Sequence, residues 1–473
     1  MMRTLLGLVV VTGCGGAKSA LLELPVALSQ EPVEATPIVT PIVTPIAPPK
    51  VVPAITRIYG PEIHSVRFEA TTMLRKDPNK DADKVGVIQN GIHVGVQRTA
   101  EPNAGCKSRW IQIVPRGWTC ETAVVPSRDE PTTAIERSLD DADDTEQPVV
   151  RGIYGVVRGD NAQAFGSVAD AQAGIGRALS GSNTVRVVGV VKVDGRRYWR
   201  TSAGDLVDES SISTISPSKF KGVAIDPGGT LPAWVHARGD YRKPITTYSI
   251  DDKVLGSLAA RTVVTILESR EARVRVSETE WVARADLRIA ALAAPPVTTK
   301  PDEKWFDVDL DQQVLVAYEG ARPVYATLVS TGKYGHYTPT LVTRIIAKHE
   351  TANMTSDKKD VYSVADVPWT MYYDGNYALH TSYWHDGFGG PRSHGCVNLA
   401  PRDARALYHW SSPDVPPGWS TVYGDPDNPG SLVRIRSSLM PEPGLRGYAR
   451  TMQDGIASES RVELTEAVAS AHK

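Results

Sequence analysis

One stretch near the C-terminus, Tyr377 to Ala400 (YALHTSYWHDGFGGPRSHGCVNLA), concentrates the residue types that do chemistry. Cys396 follows Ser393, His394 and Gly395, and His380 ends an apolar, strand-like run. An ordinary thiol is only a few per cent ionised at a pH of about 7, and a nearby imidazole makes it a better nucleophile by accepting its proton. Gly395 lets the backbone approach a substrate closely, and the N–H groups of Gly395 and Cys396 are candidates to hold a developing oxyanion. The pairing points to acyl transfer through a thioester. Two other readings use the same residues. His380, His385, His394 and Cys396 are the ligand types of a zinc site, although neither an HExxH nor a paired CxxC accompanies them. Alternatively the histidines are surface or core residues and the cysteine is buried, which leaves a Ser-His-Gly-Cys turn beside a strand-end histidine unexplained.

The same stretch resembles the signature of the L,D-transpeptidase family, a His followed at a distance by Ser/Thr-His-Gly-Cys-hydrophobic-Asn. Here His380 and then Ser393-His394-Gly395-Cys396-Val397-Asn398 fill it, and VPWTMYYDGNYALH from Val367 is also similar. The resemblance runs from Trp305 to Arg436. It implies Cys396 as nucleophile, His380 as general base and the Thr381 carbonyl as the group orienting that imidazole. His394 would shape the oxyanion or acceptor side, and the two histidine roles can be exchanged. Gly395 and Cys396 would supply oxyanion amides, Tyr362 an assisting hydroxyl, and Ser393 and Asn398 the hydrogen bonds that hold the loop. Arg392 is a candidate contact for a substrate carboxylate, with a surface salt bridge as the alternative. Relatives commonly carry Thr-Pro-x-Gly before a strand, whereas this chain has Thr338-Pro339-Thr340-Leu341, so its loop must turn differently.

By the same resemblance the fold is mainly β, and the reaction is a two-step acyl transfer on peptidoglycan tetrapeptide stems. Terminal D-Ala leaves first, and an amine then resolves the thioester. A second stem as acceptor gives a cross-link, a lipoprotein lysine anchors protein to the wall, and water gives cleavage. No metal or organic cofactor is required, and carbapenems are the expected acylating inhibitors. The rival function is a wall-binding lipoprotein whose catalytic domain has decayed; a zinc-dependent peptidoglycan hydrolase is the third reading.

The rest of the 473-residue chain must present this site. Met1 to Val11, with Arg3 and a short apolar run, is far below the roughly 20 apolar residues of a membrane-spanning helix, and reads as a signal peptide over 1–13. Thr12-Gly13-Cys14 resembles a bacterial lipobox, which makes Cys14 a candidate lipidation site. Gly15 and Gly16 fit an outer-membrane, periplasm-facing anchor in a Gram-negative cell. Residues 14–60, with TPIVTPIVTPIAPPKVVP, read as a Pro-rich tether.

Residues 61–127 carry short strands and a terminal GW, similar to a small Src-homology-3-like β-barrel, with Cys106 and Cys120 placed for a disulfide in an oxidising compartment. An acidic linker over 128–148 follows. A β-rich module of open role spans 149–238, with a hairpin at Asp194-Gly195; its Tyr198, Trp199 and Trp234 read as core rather than as a ligand groove. A second Src-homology-3-like barrel is expected over 239–292, the catalytic domain over 301–437 and a dispensable tail over 438–473. A formal net charge of -2 with 41% apolar residues speaks against nucleic acid and against general disorder. The partners are then stem peptides and, through the lipid, a membrane.

Overall fold

The computed structural model describes residues 54–133, 150, 152–159, 161–179, 182–297, 299–356 and 362–454. The signal peptide, Cys14, most of the tether and most of the acidic linker lie outside the described residues. The fold is mainly β, organised around one doubly covered sheet.

That sheet explains why residues 304–319 read as a nearly continuous apolar run. Strands Lys304–Asp309 and Val314–Glu319 pair antiparallel, and Arg322–Ser330 returns after a turn at Gly320. Successive side chains on a strand point to opposite faces. Phe306, Val308, Leu315 and Ala317 enter one core with the helix Pro401–Trp410, while Trp305, Val314, Val316 and Tyr318 enter another with Trp234 and Phe388. Both faces are dry, so neither register position tolerates a charge without a partner. The exception proves the cost: buried Asp307 is gripped by Arg434 (2.7 Å) and Arg436 (2.9 Å) from the parallel strand Leu432–Arg436.

The remaining modules are built into this sheet. The first module, from Ser65 to Ser127, shares a core with Trp419 and Val422 of the C-terminal domain, and strand Lys84–Ile88 pairs directly with Trp419–Tyr423. Cys106 and Cys120 form its disulfide. The tether ends earlier than the sequence suggests: Ala54–Tyr59 is a helix whose Ile55 is buried, with Ile58 and Tyr59 packed beside it, because apolar residues at i, i+3 and i+4 give it a face to bury.

In the middle module, Asp194 (φ 49°) and Gly195 (φ 81°) make the expected turn between Ser182–Val193 and Arg196–Thr201. Tyr198, Trp199 and Trp234 are all buried. Trp234, however, belongs to the next unit: strand Ala233–Val235 pairs with Val263–Val264 and Leu287–Ile289, so the boundary expected at 238/239 falls before Ala233. The tail also contributes to the core. Ala449 is buried, Leu445 packs on the same cluster, and Arg446 reaches Asp374.

Gly86 lies where the first module packs against strand Trp419–Tyr423. A Cβ there would lie 2.2 Å from Trp419 Cζ3 and 2.6 Å from the Thr421 carbonyl oxygen. Gly86→Ala should therefore lower unfolding stability by about 1–3 kcal/mol through overpacking, read from the midpoint of denaturant unfolding; an unchanged midpoint would mean that this docking is loose.

Candidate active site

The nucleophile candidate and the base candidate are brought together by strand register. Tyr377–Thr381 and Val397–Leu399 run parallel, with Leu379 opposite Val397 and His380 opposite Asn398. Cys396 lies one residue before the second strand, two before Asn398, and thus on the His380 side of the pleat. The second strand is itself fixed by Arg322–Ser330, where Ser330 faces Asn398.

The loop that delivers Cys396 is closed by short local bonds. Ser393 Oγ donates to the Cys396 carbonyl (2.6 Å) and accepts from Gly395 N–H (3.0 Å). Thr338 Oγ1 accepts from Gly332 N–H (2.8 Å) and donates to the Gly395 carbonyl (2.9 Å). Gly395 sits at φ 116°, where side chains are strained, and a Cβ would meet Tyr377 Cε1 at 2.5 Å. The Thr-Pro-Thr-Leu departure therefore keeps its threonine as a stitch between two loops, and the strand starts at Leu341. The Gly395 amide expected for the oxyanion is committed to Ser393 in this arrangement.

The two histidines are chemically distinct. His380 is 2% exposed, and its Nδ1 lies 2.9 Å from the Thr381 carbonyl. A carbonyl only accepts, so Nδ1 carries the hydrogen and Nε2 keeps its lone pair. Burial holds this imidazole down to a pKa of about 4, against the opposing pull of that hydrogen bond. His394 is exposed and its Nε2 lies 3.1 Å from Lys333 Nζ. An ammonium only donates, so the basic nitrogen of His394 is already engaged. Its ring also packs on His336 (4.6 Å) and Tyr362 (5.0 Å).

His385 is turned elsewhere: its Nδ1 faces the Gly387 N–H (3.2 Å), and its Nε2 lies 3.0 Å from the Asn398 side-chain amide nitrogen. The three imidazoles that a zinc reading would gather thus serve separate partners, and among the described residues no group of three or more His, Cys, Asp or Glu is placed to hold a metal ion.

Cys396, His380, His394, Arg392, Ser393, Asn398 and Tyr362 all line one cleft of about 630 Å³. Thr381 stands behind it, holding His380. Arg392 is exposed, donates through Nε to the Gly387 carbonyl (3.3 Å) and lies 5.6 Å over the Tyr241 ring. Tyr362 is half-buried, and burial together with the neighbouring Cys396 raises its phenol pKa. Sequence reasoning missed Val156, Asn183 and Thr184, which line the same cleft from the middle module. No local motif marks them, because only strand pairing far along the chain brings them in.

Burial pushes the Cys396 thiol up to about 11, against the pull of the Ala378 N–H, and Sγ lies 3.7 Å from the Asn376 carbonyl. The resting pair is therefore neutral thiol and neutral imidazole. Alkylation of Cys396 by iodoacetamide should be slow at neutral pH and rise about tenfold per pH unit toward pH 11, since only thiolate reacts. A rate already level at neutral pH would mean a preformed thiolate–imidazolium pair.

Solved structures similar to this chain include several L,D-transpeptidases. The protein from Stackebrandtia nassauensis is 25% identical, with a TM-score of 0.22 over 30% of this chain and 58% of that one. Residues 123-326 of the Xylanimonas cellulosilytica protein are 23% identical, with a TM-score of 0.22 over 30% and 65%. The catalytic domain from E. faecium is 22% identical, with a TM-score of 0.23 over 28% and 98%. The chain thus spans less than two thirds of the first two proteins. Comparison with curated proteins finds no match. Residues 303–435 match the YkuD family model, described as the L,D-transpeptidase catalytic domain, and it is this segment that carries the Cys396 cleft.

Proposed function

We propose that the protein is an L,D-transpeptidase that uses Cys396 to transfer peptidoglycan stem peptides. The observation that carries this reading is the His380 Nδ1–Thr381 carbonyl bond, which leaves Nε2 as a base in the cleft that holds the only free cysteine among the described residues. In the first step the Sγ proton moves to His380 Nε2 while Sγ attacks the carbonyl between the diamino acid and terminal D-Ala. The Cys396 N–H supports the oxyanion. The C–N bond then breaks, His380 returns the proton to the departing D-Ala amine, and a thioester remains. In the second step an acceptor amine gives its proton to His380 and attacks the thioester, the C–S bond breaks, and the thiol is restored. The sequence needs no cofactor. On this reading His394, held by Lys333, serves the acceptor side, and Arg392, which lines the same cleft, is the candidate for a substrate carboxylate.

Meropenem should leave a mass adduct on Cys396 in the purified chain, and Cys396→Ala should leave none. His380→Ala should slow acylation by about 10²–10⁴-fold, the usual worth of a positioned base, while His394→Ala should cost far less. An equal adduct on Cys396→Ala would sink the mechanism. Muropeptide mass spectrometry of treated sacculi then separates cross-linking, protein anchoring and cleavage.

We also propose export to the periplasm and lipid attachment at Cys14, which would tether the enzyme to the outer membrane beside its substrate. The Cys106–Cys120 disulfide supports an oxidising compartment. Labelled palmitate should enter the protein in cells and be lost in Cys14→Ala; equal labelling would reject the anchor.

A further inference from the structure

The loop that joins strand Tyr377–Thr381 to strand Val397–Leu399 is gripped by the module that begins at Ala233. That module has its own core, with Val235, Ile245, Val274, Val282 and Leu287 buried together. Arg288 Nε donates to the Gly389 carbonyl (2.7 Å). Arg261 Nη1 reaches both carboxylate oxygens of Asp386 (2.9 and 3.1 Å), and the Ser218 hydroxyl donates to the same group. His236 is 8% exposed and packs so close to Gly389 that a Cβ there would meet its Cδ2 at 2.4 Å.

Tyr241 is the centre of this contact. Three guanidinium groups lie over its ring, Arg261 at 5.4 Å, Arg392 at 5.6 Å and Arg242 at 5.7 Å, all within reach of a cation–π attraction. The His236 ring stacks on it at 5.9 Å. The three charges are not balanced alike. Arg242 pairs with Asp240 (3.0 Å) and Arg261 with Asp386 (2.9 Å). Arg392 spends Nε on the Gly387 carbonyl, and among the described residues its Nη groups meet neither a carboxylate nor another hydrogen-bond acceptor. Asp386, one residue before Gly387, is withdrawn from it by Arg261. Gly387 makes the room, since a Cβ there would lie 1.8 Å from Arg392 Nε. The result is a guanidinium held at one nitrogen and by one ring, in the cleft that contains Cys396. Its two Nη groups can take a carboxylate through parallel hydrogen bonds, and holding the side chain beforehand lowers the entropy lost on binding.

We propose that the module beginning at Ala233 completes the carboxylate end of the cleft: Tyr241 is the positioning residue that holds Arg392, and the Arg392 Nη groups bind the C-terminal carboxylate of the stem peptide. In the reaction proposed above, Cys396 attacks the carbonyl next to terminal D-Ala. The C-terminal carboxylate is then one residue from the attacked carbon and must enter the cleft whenever that bond is cut. The assignment rests on the transpeptidase reading for its ligand.

The test is calorimetric binding of a diaminopimelate-containing tetrapeptide and of its C-terminal amide to the full chain carrying Cys396→Ala. The carboxylate form should bind about tenfold tighter than the amide, the worth of a charge-assisted contact. Arg392→Ala should abolish that preference. Tyr241→Leu should weaken binding of the carboxylate form alone by about 2–5-fold, and Tyr241→Phe, which keeps the ring, should restore it. Added to Arg392→Ala, Tyr241→Leu should cost nothing further, because the two residues act as one unit. Thermal midpoints of all variants report folding. Equal affinity for the two peptides, a preference that survives Arg392→Ala, or a Tyr241→Leu loss that falls on both peptides alike overturns the assignment, as does no binding of either peptide. Meropenem acylation of the Cys396 protein is a separate arm. No adduct sinks the transpeptidase reading, while the peptide series still decides whether Arg392 binds the carboxylate. A normal adduct without a carboxylate preference leaves that reading intact and removes the Tyr241–Arg392 assignment.

Discussion

The parallel pairing of Tyr377–Thr381 with Val397–Leu399 is the constraint on which the site depends. A slip of one residue would reverse every side chain and send His380 and Asn398 into the core. The register is held from beneath by Leu379, Val397 and Leu399, all fully buried in one cluster with the helix Pro401–Trp410. It is held from the side by Ser330 opposite Asn398. Catalytic geometry is thus a by-product of apolar packing: the strands cannot shift without exposing the same side chains that make them pair.

The same logic governs the added modules. Each shares a hydrophobic cluster with the C-terminal domain: the first module through Trp419 and Val422, the middle module through Val367 and Tyr383, the third through Trp234 beside Trp305 and Tyr318. Burying aromatic side chains of this size contributes several kcal/mol each in area terms, which makes the modules part of the catalytic body. Two of them also reach the neighbourhood of the cleft. Tyr241 carries the Arg392 guanidinium, and strand Ser182–Val193 supplies Asn183. Both modules therefore border the cleft.

What was legible in the sequence was what is encoded locally. Ser-His-Gly-Cys-Val-Asn is a single loop-to-strand turn whose bonds, Ser393 to Gly395 and to the Cys396 carbonyl, span only three residues. The Asp194-Gly195 turn follows equally from short-range rules. The choice of His380 over His394 came from resemblance alone; its physical reason, a carbonyl on one ring and an ammonium on the other, lies in tertiary structure. Asn183 gave no signal, since its place depends on pairing with a strand far downstream. The helix Ala54–Tyr59 was hidden by the Pro-rich run before it, and the commitment of the Gly395 amide to Ser393 by the same turn that makes the motif recognisable.

The electrostatics of the pair suggest how such a thiol stays quiet until substrate arrives. Ionising both groups in the resting site would bury an ion pair, and burial opposes both charges: it raises the thiol and lowers the imidazole. The basic side chains Arg392 and Lys333 are engaged around the cleft, the first with the Gly387 carbonyl and the second with His394. On the proposed mechanism, proton transfer from Cys396 to His380 is favourable only when it coincides with bond formation, because the negative charge then passes from sulfur to an oxyanion beside the Cys396 N–H. A preformed thiolate would react with any electrophile. A neutral pair, made competent by the bound carbonyl itself, restricts the chemistry to acyl groups that the cleft can hold in place.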